Sequence, residues 1–195
     1  MSAQYDQIIY NTAIKEGFNP AAAKLIVAQA RFESADYNSN VFKLNNNTSG
    51  MKYIGQPLAT RGTPAPKNEQ RCNGGCDGDY YAKFASVQDS ASDKISRLYN
   101  KNMRGVTPQQ LKNSKDADEF SRLLKQRGYY GMGAFGTPQA ETDIRNYANG
   151  LRAKLMKINV LEFVQKNKNV LLLGIGLVFI ASSIYLVNKK MLSLK

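Results

Sequence analysis

The sequence predicts a mainly α, α+β domain of two lobes, one of them small and loop-rich, followed by a single apolar helix near the C-terminal end. Three patterns predict it. Apolar residues recur at helical spacing in successive segments between residues 4 and 151. Between Tyr37 and Tyr80 that spacing gives way to Asn, Gly, Pro and Thr, with short strand-like pieces only. Val170 to Val187 is apolar and uncharged, long enough to cross a bilayer. The organisation expected is a catalytic-type domain over 1–155, a basic helical stalk over 156–169, a transmembrane helix over 170–188 and a basic tail over 189–195.

Residues 4–16 place Tyr5, Ile8, Ile9, Ala13 and Ile14 on one helical face, and Gly17 ends the run. Asn19-Pro20 opens a second helix, about 20–34, with Asn as N-cap and Pro in the first turn. In that helix Leu25, Gln29, Phe32 and Glu33 share a face. Strand pieces are expected at Gly50 to Ile54 and at Tyr80 to Phe84, forming a small hairpin. Ser86 opens a third helix to about Met103, with Ile95 and Leu98 inward. Thr107-Pro108-Gln109-Gln110 reads as a capping box before a short helix. Residues 115–127 form another, with Phe120, Leu123 and Leu124 on one side and Gly128 beyond its end. Thr137-Pro138 starts a last long helix through Ile144, Tyr147 and Leu151, able to continue as the stalk.

The net charge is +12. From Leu151 onward eight basic residues stand against Glu162, giving +7 and leaving +5 for the rest. The excess therefore gathers around the apolar segment, where Lys and Arg favour anionic headgroups. This weakens a nucleic-acid reading, and no nucleic-acid partner is expected. The milder charge of the front part suits an anionic polymer such as a bacterial cell wall. The chain has no histidine, which removes Ser–His and Cys–His catalysis and the commonest metal ligand. Cys72 and Cys76 form a small disulfide loop or remain two free thiols, and they make a poor zinc site. No metal or cofactor is expected. The N-terminus lacks the basic start and apolar run of a secretory signal.

Glu33 lies at the end of an apolar helix, immediately before a polar Asn/Ser/Gly segment. A carboxyl held against hydrophobic side chains is disfavoured as an anion and keeps its proton towards neutrality. That is the requirement for the acid of glycosidic bond cleavage. The alternative is a solvated helix-end glutamate paired with Arg31 or Lys52.

The stretch from Ala28 to Lys52 resembles glycoside hydrolase family 73, the endo-β-N-acetylglucosaminidases of the lysozyme-like superfamily. The matching positions are Ala28, Gln29, Ala30, Glu33, Ser34, Ser39, Asn46, Asn47, Gly50, Met51 and Lys52. Tyr81 to Ser86, followed by Ser90 and Asp93, is similar to the family's Phe-Arg-x-Tyr-x-Ser block. Arg127-Gly128-Tyr129 and Asn146-Tyr147-Ala148 resemble its closing elements. Two departures stand out. Thr48-Ser49 replaces a bulky Leu-Phe, and Gly131 to Gly136 looks inserted.

The resemblance implies a lysozyme-like two-lobed fold and cleavage of β-1,4 bonds in peptidoglycan, with Glu33 as general acid. It implies a second carboxylate in the loop-rich lobe. Glu69 is the candidate, with Asp77 and Asp79 as rivals, and all three read equally as exposed loop charges. Without a second carboxylate, the substrate N-acetyl group assists, or a sugar hydroxyl attacks to give a 1,6-anhydro product, as in a lytic transglycosylase. Tyr53, Tyr129 and Tyr147 are candidates for stacking on sugars or steadying positive charge, though Tyr147 also has the spacing of a core residue. Gln29 and Asn47 are candidate donors to N-acetyl groups, or loop caps. The anchor at 170–188, flanked by Lys166, Lys168, Lys189 and Lys190, implies a lipid bilayer as partner. It suggests a lytic enzyme in the virion of a membrane-containing phage, beside other virion proteins. A cellular envelope enzyme and a membrane-anchored glycan binder without activity are the competing expectations.

Overall fold

Helix α1 (Ser2–Lys15) and helix α2 (Pro20–Glu33) are joined through Gly17, whose φ of +88° is a backbone state that side chains disfavour. Asn19 caps α2 by accepting from the Ala22 amide at 2.7 Å. The computed structural model describes residues 2–70, 77–131 and 133–158, and residues 1–158 form one unit. Its centre is α2, buried almost all round because Ala22, Ala23, Ala28 and Ala30 let neighbours approach closely. Helix α1 packs on one side of it and the final helix, α7 (Pro138–Leu155), on another. Gly150 of α7 is needed at that contact, since a Cβ there would fall 2.6 Å from the Phe32 ring.

A buried ion pair ties α1 to α2. Arg31 donates to Asp6 at 2.6 Å, and the Tyr37 hydroxyl donates to the same carboxylate at 2.8 Å. Directly after Glu33 the chain turns through Ala35, Asp36 and Tyr37, all left-handed (φ 52°, 56° and 66°). Three consecutive non-glycine residues in this state store backbone strain. The turn is held by Ser34, whose hydroxyl donates to the Ala30 carbonyl at 2.6 Å and accepts from the Tyr37 amide at 3.0 Å. Asp36 adds ion pairs with Lys154 at 2.8 Å and Lys157 at 3.2 Å.

The loop-rich lobe departs from expectation in two places. A short helix, α3 (Asn40–Asn45), capped by Ser39, occupies sequence expected to be loop. The hairpin pairs β1 (Ala59–Pro64) antiparallel with β2 (Tyr80–Phe84), in register Ala59↔Phe84 and Arg61↔Ala82. The expected strand at 50–54 supplies one isolated bridge, Lys52↔Tyr81. Gly50 and Gly55 bracket it with φ of +61° and +80°, so the segment turns at both ends instead of extending.

Helix α4 (Val87–Lys94), capped by Ser86, widens into a π-type turn over Ile95–Tyr99 and stops there. The helix expected to reach Met103 is thus shorter, because Arg104 and Gly105 are left-handed and fold Met103 back onto Val106. The capping box forms, with Thr107 and Gln110 bonding reciprocally at the start of α5 (Pro108–Lys112). Helix α6 (Ala117–Gln126), capped by Asp116, packs against α7. Helix α7 ends at Leu155. Among the described residues no helix is long and apolar enough to cross a membrane. The first residues of the expected helical stalk, 156–158, form a turn after α7; the rest of the stalk, the 170–188 span and the Cys72/Cys76 pair lie outside the described residues.

Candidate active site

The carboxylate of Glu33 closes α2 with its side chain 15% exposed. Three elements deliver donors to it. The Tyr129 hydroxyl, from the turn after α6, donates at 2.8 Å to Oε1, with Oε2 at 3.0 Å. The Tyr147 hydroxyl, from α7, donates to Oε1 at 2.8 Å. The Lys94 ammonium, from α4, donates to Oε2 at 2.9 Å. The surroundings expected from the sequence were apolar, and this is the main correction at the site. The apolar side chains of α2 are spent on α1 and α7, whereas its last residue reaches a junction of polar groups. Neither Arg31 nor Lys52 is the partner of Glu33, since Arg31 pairs with Asp6 and Lys52 with Glu69.

The Lys94 side chain is only 3% exposed. Burial pushes its pKa down, and the negative charge of Glu33 opposes that. Burial and the same charge hold the Tyr129 and Tyr147 phenols well above their ordinary range, so both stay neutral donors. Tyr147 is fixed by stacking on Tyr130 (centroids 4.2 Å apart, 13° between planes) and by the edge of Phe32 at 5.5 Å. Lys94 was not singled out from the sequence. Its signal was a charge at i+7 from Val87 and i+4 from Ser90, on the buried face of α4.

Gln29 is completely buried. Its amide donates to the Tyr147 hydroxyl at 2.8 Å and its oxygen accepts from the Tyr99 hydroxyl. Both ends are therefore engaged, and Gln29 braces Tyr147 instead of meeting a sugar. Asn47 is buried as well, donating to the Met51 and Ala82 carbonyls (2.8 and 2.9 Å) and accepting from the Met51 amide (3.0 Å). It staples the loop to β2, so a sugar-binding role does not fit its placement. Tyr53 is half-buried beside β2, its amide donating to the Tyr80 carbonyl at 2.8 Å.

Glu69 accepts from Lys52 at 2.7 Å and from the Tyr81 hydroxyl at 2.8 Å. Lys52 first, then Tyr81, hold its pKa below the usual carboxylate range. Asp79 is buried under the hairpin. Neither lines the cavity next to Glu33, a space of about 550 Å³ walled chiefly by Ser49, Met51, Leu98, Met103, Arg127 and Tyr129. Glu33 is the carboxylate among the described residues that line it. Thr48 turns inward to Ser90 (oxygens 3.0 Å apart), leaving Ser49 on the wall. Among the described residues no group of three or more His, Cys, Asp or Glu comes together to hold a metal.

The sequence matches the family model described as mannosyl-glycoprotein endo-beta-N-acetylglucosaminidase over residues 7–160. No curated protein sequence matches it. Among solved structures it is similar to the catalytic domain of the autolysin Auto from Listeria monocytogenes, at 18% identity and TM-score 0.52, covering 83% of this chain and 84% of that one. It is also similar to a type VI secretion system effector–immunity complex from Pseudomonas protegens, at 17% identity and TM-score 0.50, covering 80% and 91%. A peptidoglycan hydrolase from Sphingomonas sp. A1 aligns at 18% identity and TM-score 0.46, over 80% and 94%. The first two likenesses establish a shared mainly helical fold with a small sheet.

Proposed function

This chain belongs to the endo-β-N-acetylglucosaminidase family and is a glycoside hydrolase; from that premise we propose that it cleaves β-1,4 bonds of peptidoglycan with Glu33 as proton donor. The observation that carries the assignment is the convergence of Tyr129, Tyr147 and Lys94 on Glu33 at the wall of an open cavity. The three donors hold the Glu33 carboxyl in place beside the leaving oxygen, and as the acid it carries its proton on an oxygen where one of these bonds now ends. The autolysin likeness favours a cell-wall substrate.

In the proposed reaction the glycosidic C–O bond breaks as its oxygen takes the Glu33 proton and leaves as a hydroxyl. The anomeric carbon gains positive charge, and the carbonyl oxygen of the substrate's own 2-acetamido group bonds to it. Water then attacks that carbon, the internal bond reopens, and the water's proton returns to Glu33. This route needs one protein carboxylate, which agrees with Glu33 standing among the described cavity residues while Glu69 is engaged with Lys52 and Tyr81. The same observation favours a second reading, attack by the sugar's 6-hydroxyl to give an anhydro product. Mass analysis of released fragments tests both. Reducing-end glucosamine supports the glucosaminidase, anhydro-muramic acid supports the transglycosylase, and absence of wall clearing by wild type overturns the assignment in favour of a glycan binder.

The apolar 170–188 segment with lysines on both sides supports membrane anchoring, and with it a place in the virion of a membrane-containing phage. Fractionation tests the anchor, which predicts retention in membranes after alkaline washing. Presence in purified particles tests the virion setting, and its presence only in host membranes would point to a cellular enzyme.

A further inference from the structure

Arg127 is a buried guanidinium, 4% exposed, on the wall of the cavity that holds Glu33. It donates to the backbone carbonyls of Val106 (3.1 Å) and Leu98. A guanidinium has five N–H donors, so the rest of the fork is left without a partner among the described residues. No carboxylate pairs with it there. Burial accordingly lowers its pKa, the usual consequence of a buried cation without a counter-charge. Buried charges are normally paired, so this one calls for an anion supplied from outside.

Two further features at or beside the same wall point the same way. Gly128, next in sequence, has φ +79°, and a Cβ on it would lie 2.4 Å from Nη1 of Arg104. The Arg104 guanidinium therefore rests against the bare backbone of Gly128. It too lacks a carboxylate partner among the described residues, and Arg104 is itself exposed. On a residue lining the same cavity, the Ser49 hydroxyl is buried with no hydrogen-bond partner among the described residues. One guanidinium without a carboxylate partner among the described residues, Arg127, and the Ser49 hydroxyl thus border a space of about 550 Å³ that opens beside the Glu33 carboxylate, and a second guanidinium, Arg104, lies against Gly128 of its wall. Neutral sugar hydroxyls would not balance the buried charge, but a carboxylate would, through the parallel N–H fork.

Resting on the proposed glycan-cleaving role, we infer that this cavity contains a carboxylate-binding subsite, built from Arg127 and Ser49 with the Arg104 charge beside it, that takes the acidic group of a muramic acid unit. The subsite then sets which sugar lies next to Glu33 and hence which bond is cut. The carboxylate has two sources. In strands stripped of peptide it is the lactyl group itself. In intact wall the lactyl group is amide-bonded, and the nearest acid belongs to the stem peptide.

The test is binding to the full-length protein, followed by ligand-observed NMR. The probes are N-acetylmuramic acid, its methyl ester, a peptide-bearing muramic acid and N-acetylglucosamine. The expected result is at least tenfold tighter binding of an acid-bearing probe than of the ester and of N-acetylglucosamine. Preference for the free lactyl acid or for the peptide-bearing probe identifies the source. R127Q removes the preference. Because that variant loses two backbone contacts and can misfold, R104Q, at an exposed position, serves as the second and weakens it severalfold. Equal binding of acid and ester overturns the subsite, as does an unchanged preference in R104Q. Loss of wall clearing with the preference retained would overturn the enzymatic reading alone.

Discussion

Replacing Glu33 by Gln strands a cation. The substitution keeps the shape of the side chain and an oxygen that accepts from Tyr129 and Tyr147, but it removes the one charge paired with Lys94. Removing one partner of a buried ion pair typically costs about 3–5 kcal/mol. The lysine has an escape, which is to release its proton. From its ordinary value near 10.5 to pH 7 that costs about 5 kcal/mol, at about 1.4 kcal/mol for each pH unit. The expected loss of stability at pH 7 is therefore about 3–5 kcal/mol. In the variant, native Lys94 has a lowered proton affinity while the unfolded chain binds the proton normally. The unfolded state holds more protons between those two values, so stability rises with pH across that window by up to about 1.4 kcal/mol per unit. The deficit relative to wild type shrinks towards pH 10. Urea denaturation of the full-length chain, followed by far-UV circular dichroism from pH 6 to 10, measures it. The double variant E33Q/K94M removes both charges and recovers most of the loss. An E33Q protein as stable as wild type at pH 7, or a deficit independent of pH, would refute the dry, paired arrangement of Lys94. The double variant is also the better inactive control in wall-clearing assays, because its failure to clear reports chemistry and not misfolding.

Y129F deletes one charge-assisted bond to Glu33, worth about 1.5–3 kcal/mol of stability, so the melting temperature is expected to fall by about 3–12 °C and kcat to fall as the acid is less firmly held; unchanged turnover would remove Tyr129 from the positioning of the acid. Gly150→Ala drives a methyl to 2.6 Å from the Phe32 ring and is expected to destabilise by about 1–3 kcal/mol, read as a lower urea midpoint. Asp93 is buried, and burial raises its pKa with only a distant Arg97 in opposition; the folded state then holds the extra proton, stability falls as pH rises above the usual aspartate range, and D93N is expected to raise the melting temperature at pH 7 by about 2–4 °C, equivalent to about 1 kcal/mol, and to lose that advantage in acid.

Much of the helical frame was legible because its punctuation is local. Asn19, Ser86, Thr107 and Thr137 each cap the helix they were expected to open, and Gly128 falls just beyond the end of α6. A side chain that bonds an amide three residues away leaves its mark in the sequence. The hairpin was half legible. β2 stands where its alternation placed it, whereas β1 is a short, polar segment defined by its partner and by Asn45, which accepts from the Thr63 amide across 18 residues. No local pattern carries that information.

Glu33 was found because its motif surrounds it in the chain. Its environment was not, because Lys94, Tyr129 and Tyr147 come from 61, 96 and 114 residues away. For the same reason the two readings of Gln29 and Asn47, donors to a sugar or structural braces, stayed open in the sequence, since a polar side chain on a motif looks alike whether it faces a ligand or the core; the structure places both in the core. The sequence by itself determined most of the helices, their N-terminal caps and the family, and it singled out Glu33 as the candidate acid, all properties of neighbours along the chain. Only the tertiary structure decided that this carboxylate sits among phenols and a buried ammonium, and that Arg127 lines the cavity without a carboxylate partner among the described residues. Burial and charge pairing depend on groups brought together through space, and no spacing rule in one chain records which of them meet.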